Sequence, residues 1–167
     1  MNKLKVVQLL PELNIGGVER GTKDFSKALS DLGHESIVIS NGGIFEKDII
    51  KDGGKHINLP VHKKSLFSFF LSKKLKDIYL KENPDIIHVR SRMPAWINHY
   101  AFKKLAKKPL LISTFHGLYS TPMYSQIMSK VDHTIAISDT VKNYIIDTYK
   151  VAEDKITTIP RGCDLEV

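Results

Sequence analysis

At 167 residues and 42% hydrophobic content, the chain is long enough to bury one real core and too apolar to be a disordered tail. Its single cysteine, Cys163, excludes an internal disulfide and points to a reducing, cytoplasmic setting, and no apolar run approaches the ~20 residues of a membrane span. Twenty-five lysines and arginines against 18 acids give a net charge of +7, which suits a solvated surface, anionic lipid, phosphate-bearing substrates or nucleic acid and does not choose among them.

The opening MNKLKVVQLLPEL starts basic and turns apolar, as a signal peptide does. Its apolar run is short, Pro11 and Glu12 end it, and no small-residue cleavage site follows, so KVVQLL reads as a first buried strand. NIGGVER comes next, where a strand hands over to a helix. Without Cβ atoms, Gly16 and Gly17 can take positive φ and admit a ligand closely. Unpaired N–H groups at the helix start would then face a phosphate or carboxylate. A plain tight turn, with Glu19 steadying the helix start, is the equal alternative. The periodicity predicts a helix over 18–32 with Val18, Phe25, Ala28, Leu29 and Leu32 on one face, stopped by Gly33.

SIVIS follows as a second strand, ending in Ser40 and Asn41 rather than in an acid that would hold a ribose. With Gly-x-Gly-x-x-Gly and the Gly-Lys-Ser/Thr phosphate loop both missing, nicotinamide and ATPase chemistry lose support. HINLP is a weaker strand candidate. Residues 66–82 read as a helix that brings Leu66, Phe69, Phe70, Lys73 and Lys74 near one another. Such a helix either lies on an anionic membrane or buries its aromatics on the sheet with its lysines solvated. DIIHV is a strand in which His88 reads as a satisfied core histidine. Arg90 and Arg92 follow at its end and can grip phosphate or carboxylate. A helix is predicted over 94–106, with Trp96 packed into it.

PLLISTF is the next strand, and His116 emerges at its end beside Gly117. A neutral histidine there could donate to a substrate hydroxyl or share a proton; a structural loop histidine is the alternative. The other histidines show no metal spacing. HTIAIS and ITTIP close the strand series, with a helix over 139–149 between them. Ser138 is its expected N-cap and Asp139 lies in its first turn. Arg161 could contact an anion, Gly162 could turn the chain, and Asp164 could cap a following helix. Cys163 has no base partner nearby in sequence. Continuous apolar strands alternating with helices imply a parallel, doubly wound α/β sheet, with ligands at the carboxyl ends of its strands.

Taken in order, these segments resemble the N-terminal domain of family 4 glycosyltransferases, which have the Rossmann-like GT-B fold. GGVER is similar to the family's first-loop Gly-Gly motif, and PDIIHVRSRMPAW to its Pro-Asp-Ile-x-His strand. The Arg-Ser-Arg-x-Pro-Ala-Trp extension looks like that of a subset tied to envelope polysaccharide or lipopolysaccharide synthesis. TFHG, AISDTVKNYI and IPRGCDLEV match three further motifs over essentially the whole chain. Cysteine stands at 163 where the family usually has valine.

The resemblance implies retaining sugar transfer from a nucleotide-sugar donor to a glycan or glycolipid acceptor, without a cofactor or metal. Gly16 and Gly17 would approach the donor diphosphate, and His116 would contact the donor sugar. Arg161 and Gly162 would line the cleft, while Glu19, Arg20, Gly117 and Ser138 support these groups. Charge adds Arg90 and Arg92 as holders of an anionic acceptor. Residues 1–167 would form the acceptor-side domain, with a C-terminal donor-nucleotide domain absent from this chain, which would therefore be inactive alone. A cytoplasmic location follows, with a peripheral contact to an anionic inner membrane left open and no nucleic-acid partner. The rival readings are a sugar-nucleotide 2-epimerase of the same architecture and a basic anion- or nucleic-acid-binding module, for which no nucleic-acid motif speaks.

Overall fold

The computed structural model describes residues 2–62 and 68–162, without the side chains of Ser68 and Phe69. Leu66, the Phe69 side chain, Cys163 and Asp164 therefore lie outside the described residues. Among the described residues seven strands are formed: β1 (Lys5–Leu9), β2 (Glu35–Ser40), β3 (Lys55–Asn58), β4 (Ile86–Val89), β5 (Leu110–Phe115), β6 (His133–Ala136) and β7 (Ile156–Thr158). Six α-helices alternate with them: α1 (Gly17–Asp31), α2 (Glu46–Lys51), α3 (Ser68–Glu82), α4 (Arg92–Phe102), α5 (Pro122–Ser125) and α6 (Asp139–Tyr149).

All pairings are parallel, and the sheet order is β3-β2-β1-β4-β5-β6-β7. The result is a Rossmann-like α/β sheet. Its central strands β1, β2 and β4 are buried along nearly their whole length, as continuous apolar runs require when helices cover both faces. The larger core unites Leu9, Ile39, Leu75, Tyr79, Ile87, Ile97, Phe115 and Ile145, and a smaller one holds Leu10, Leu13, Val38 and Ile49. The chain leaves β1 toward β2 and later returns beside β1 as β4, so the two sides of the sheet diverge between these strands. That divergence opens a crevice at their carboxyl ends.

Three helices differ from expectation. α1 buries Thr22, Ser26 and Leu29, whereas Phe25 and Leu32 are 39% and 73% exposed and Ala28 is also exposed. Small hydroxyl residues let the helix approach the sheet closely, and their polar atoms are satisfied locally. Thr22 Oγ1 donates to the Val18 carbonyl, and the Ser26 and Ser36 hydroxyls bond at 2.7 Å. Gly33, at φ +81°, stops this helix as expected.

α3 buries Leu71, Leu75 and Tyr79 and exposes Lys73 and Lys74, but Phe70 is 65% exposed rather than packed on the sheet. α4 starts two residues before Pro94, because proline is tolerated in a first helical turn, and it ends at Phe102. α2 and α5 are too short for their periodicity to show in the sequence.

Candidate functional site

The first loop starts from the β1 end and delivers Gly17 as the first residue of α1. Gly16, the N-cap, has φ 177° and ψ 161°, an extended conformation open to any residue, and neither glycine of this turn lies in the left-handed region. The expectation of a left-handed turn is therefore corrected: what the pair provides is close approach. A Cβ on Gly17 would run into the Arg161 guanidinium, and one on Gly16 would run into the Glu19 carboxylate folded back over it. No side chain caps the helix start. Its first amides remain available, with Glu19 as the acid of the first turn.

Arg90 follows β4 and turns toward β1. Its Nη1 donates to Gln8 Oε1 at 2.8 Å, and Gln8 Nε2 donates to the Thr22 carbonyl at 3.1 Å. Arg90 is thus seated beneath the start of α1, with Nη2 close to Gly21. Its Nε is buried without a hydrogen-bond partner. Burial first, then Arg161, lower its pKa to about 10, while Glu19 acts in the opposite sense.

His116 follows β5, and Arg161 reaches it from beyond β7, with the guanidinium Nη2 3.0 Å from His116 Nδ1. Guanidinium nitrogen only donates, so Nδ1 accepts and the ring hydrogen sits on Nε2. That Nε2 is buried and unpartnered. Burial, then Arg90 and Arg161, push the imidazole down to about 3. His116 is therefore a neutral donor with its acceptor nitrogen already engaged. Of the two roles open to it in the sequence, donation is the one this geometry permits, and proton sharing is not. His88, the penultimate residue of the neighbouring strand β4, is the satisfied core histidine expected, with its Nε2 2.7 Å from Thr114 Oγ1.

Not every candidate joins this cluster. Arg92 points the other way from Arg90. Its Nη1 donates to Thr121 Oγ1 at 3.2 Å, and its guanidinium lies over the Tyr119 and Tyr124 rings at 4.9 and 5.6 Å. The two arginines do not converge as a paired grip. Trp96 packs α4 onto α5 by stacking on Tyr124 and donating from Nε1 to the Tyr124 carbonyl at 3.0 Å. Ser138 caps α6, accepting from Val141 N at 3.3 Å. Arg20 is exposed, and Gly117 and Gly162 have open space where a Cβ would go. Gln8 and Thr22, which seat Arg90, carry no motif that would single them out in the sequence. Among the described residues no three metal-ligating side chains converge, and no helix is long and apolar enough to cross a membrane.

The family model for Glycosyltransferase Family 4 matches residues 15–167. Among solved structures, a glycosyltransferase from Rickettsia africae ESF-5 is 39% identical over 97% of this chain, with a TM-score of 0.82. The match covers 44% of that protein, so this chain spans less than half its length. The lipopolysaccharide outer core galactosyltransferase WaaB matches at 15% identity and a TM-score of 0.69, over 98% of this chain and 47% of its own. A UDP-GlcNAc 2-epimerase from Neisseria meningitidis, solved with UDP-GlcNAc, matches at 16% and 0.64, over 93% and 45%. These last two likenesses show the fold alone. No curated protein matches the sequence.

Proposed function

The chain belongs to glycosyltransferase family 4, and from that membership we propose that it is the acceptor-side half of an enzyme that retains anomeric configuration as it moves a sugar from a nucleotide-sugar donor. The acceptor is an anionic envelope glycan or lipopolysaccharide-type molecule. The observation that carries this reading is the convergence, at the strand carboxyl ends, of Arg90, His116, Arg161 and the uncapped start of α1. Two donors there, Arg90 Nε and His116 Nε2, are buried without partners. Such donors are free to meet substrate oxygens, while the uncapped α1 amides and Arg161 face a departing diphosphate, and none of these contacts requires proton transfer.

In the proposed cycle the α1 amides and Arg161 face the leaving diphosphate. His116 donates from Nε2 to a donor-sugar oxygen, held in its tautomer by Arg161. Arg90 supplies the positive charge that an anionic acceptor meets. No carboxylate pair is required, which separates this chemistry from glycoside hydrolysis. The cleft is completed by a second domain carrying the nucleotide, and the +7 charge favours a peripheral contact with anionic lipid.

Calorimetric titration of the 167-residue chain with inorganic pyrophosphate tests the site. Binding that falls on Arg90→Ala and on Arg161→Ala is expected, and binding indifferent to both substitutions overturns the assignment. Sugar transfer by this chain alone would refute the division of labour between two halves. Donor epimerised in the absence of acceptor would move the reading to the 2-epimerase chemistry of its structural neighbour.

A further inference from the structure

One polar cluster, buried at its serine and histidine and half-open at its glutamate, lies outside the cleft and has no part in the proposed chemistry. His56, on edge strand β3, has a side chain only 2% exposed. Its Nε2 is 2.9 Å from Ser40 Oγ at the end of β2, and its Nδ1 is 3.3 Å from Glu46 Oε1 in the first turn of α2. Ser40 Oγ also accepts from the Gly42 amide at 3.1 Å. One assignment satisfies every group: Glu46 accepts from Nδ1–H, Nε2 accepts from the Ser40 hydroxyl, and that hydroxyl oxygen accepts from Gly42. The order serine, histidine, glutamate is that of a hydrolase triad, but Ser40 is fully buried and has no access to a substrate.

What the cluster holds is the β2–α2 loop, and that loop is laced to the first loop. Asn41 N donates to the Pro11 carbonyl at 3.0 Å, Leu13 N to the Gly42 carbonyl at 2.8 Å, and Phe45 N to the Leu13 carbonyl at 3.1 Å. Gly43, at φ +146°, lies so close that a Cβ would come within 2.5 Å of the Leu13 carbonyl carbon. Asn58 Nδ2 adds a bond to the Asn41 carbonyl at 3.3 Å. The first loop then runs on for two residues to Gly16 and Gly17. A continuous set of hydrogen bonds therefore joins an edge-strand histidine to the backbone that precedes the glycine turn.

We propose that His56, held between Ser40 and Glu46, is a positioning residue for the Gly16–Gly17 turn, acting through the β2–α2 loop on which the first loop is seated. The proposal rests on the functional reading above only for the claim that this turn meets an anion. His56 itself touches no substrate. Its effect is to restrict where the α1 amides point.

The test is amide NMR on the 167-residue chain. His56→Ala and Ser40→Ala should each shift the Gly16 and Gly17 amide resonances. Each should also speed exchange of the Leu13, Asn41 and Phe45 amides by roughly tenfold, as the loss of about one hydrogen bond's local stability predicts. Glu46→Gln, which keeps an acceptor for Nδ1–H, should restore wild-type behaviour where Glu46→Ala does not. His133→Ala, at the opposite side of the sheet, serves as a comparison variant of similar type and should leave all these signals in place. Perturbation that stops at residues 40–46 and never reaches 11–17 overturns the proposal, and so does a uniform shift across β5–β7. Pyrophosphate affinity, measured on the same samples, should fall several-fold with His56→Ala. A wild-type chain that ignores pyrophosphate counts against the cleft reading, while the amide pattern still decides the role of His56.

Discussion

His116 shows how neighbours fix the chemistry of one ring. Arg161 can only donate to Nδ1, so the tautomer is set by hydrogen-bond direction. The folded chain resists a second proton until about pH 3, whereas an unfolded histidine takes one up near 6.5. Between those values the unfolded state binds more protons. The stability owed to a neutral His116 is therefore whole above 6.5 and is lost as pH falls toward 3. His88, held well below its ordinary value mainly by burial, acts in the same sense. The urea midpoint should drop on acidification across this window, and His116→Gln should flatten part of the drop. A slope unchanged by that substitution would mean the ring is not the group involved.

Gly17 separates stability from binding at the same scale. Its φ is not left-handed, and alanine is the better helix former by ~0.5–1 kcal/mol. Gly17→Ala should leave thermal stability equal or slightly raised. Its methyl group would displace the Arg161 guanidinium, so pyrophosphate affinity should fall. Loss of both properties together would show that the glycine is needed by the fold.

Among the elements, the strands are the most legible because their message is short and local: every one of the seven lies in a segment that reads as apolar and extended. The weak candidate HINLP is real as β3, an edge strand with a half-exposed pattern. The face of α1 is less legible. Counting apolar residues selects Phe25 and Leu32, yet the sheet accepts Thr22 and Ser26, because close packing favours small side chains once their hydroxyls are bonded within the protein. The N-cap of α6 is read correctly from sequence, since its signal lies in two adjacent residues, Ser138 and Asp139. Ser138→Ala should destabilise the chain by ~1 kcal/mol in urea unfolding. A change too small to measure would assign the start of α6 to packing instead.

At the level of the whole molecule, the site is legible as a set of loops and illegible as a set of contacts. The rule that ligands meet parallel strands at their carboxyl ends selects the segments holding Gly17, Arg90, His116 and Arg161. Nothing local says that Arg90 turns to Gln8, eighty-two residues away in sequence, while Arg92 turns to the tyrosines. Divergence of two arginines two positions apart is decided by which neighbours the topology supplies. The brace through His56 is hidden for the same reason: its three members sit on separate elements and share no spacing.

The position of Arg161 carries one more consequence. It hangs from β7, a three-residue outermost strand paired on one side only. Segments of that kind detach in brief excursions far below the temperature at which a sheet melts. Each excursion would withdraw the guanidinium and release the His116 tautomer, leaving the remaining strands intact. Warming should therefore abolish pyrophosphate binding several degrees before circular dichroism registers any unfolding, so the protein's capacity to hold an anion would behave as a thermal fuse set by its shortest strand.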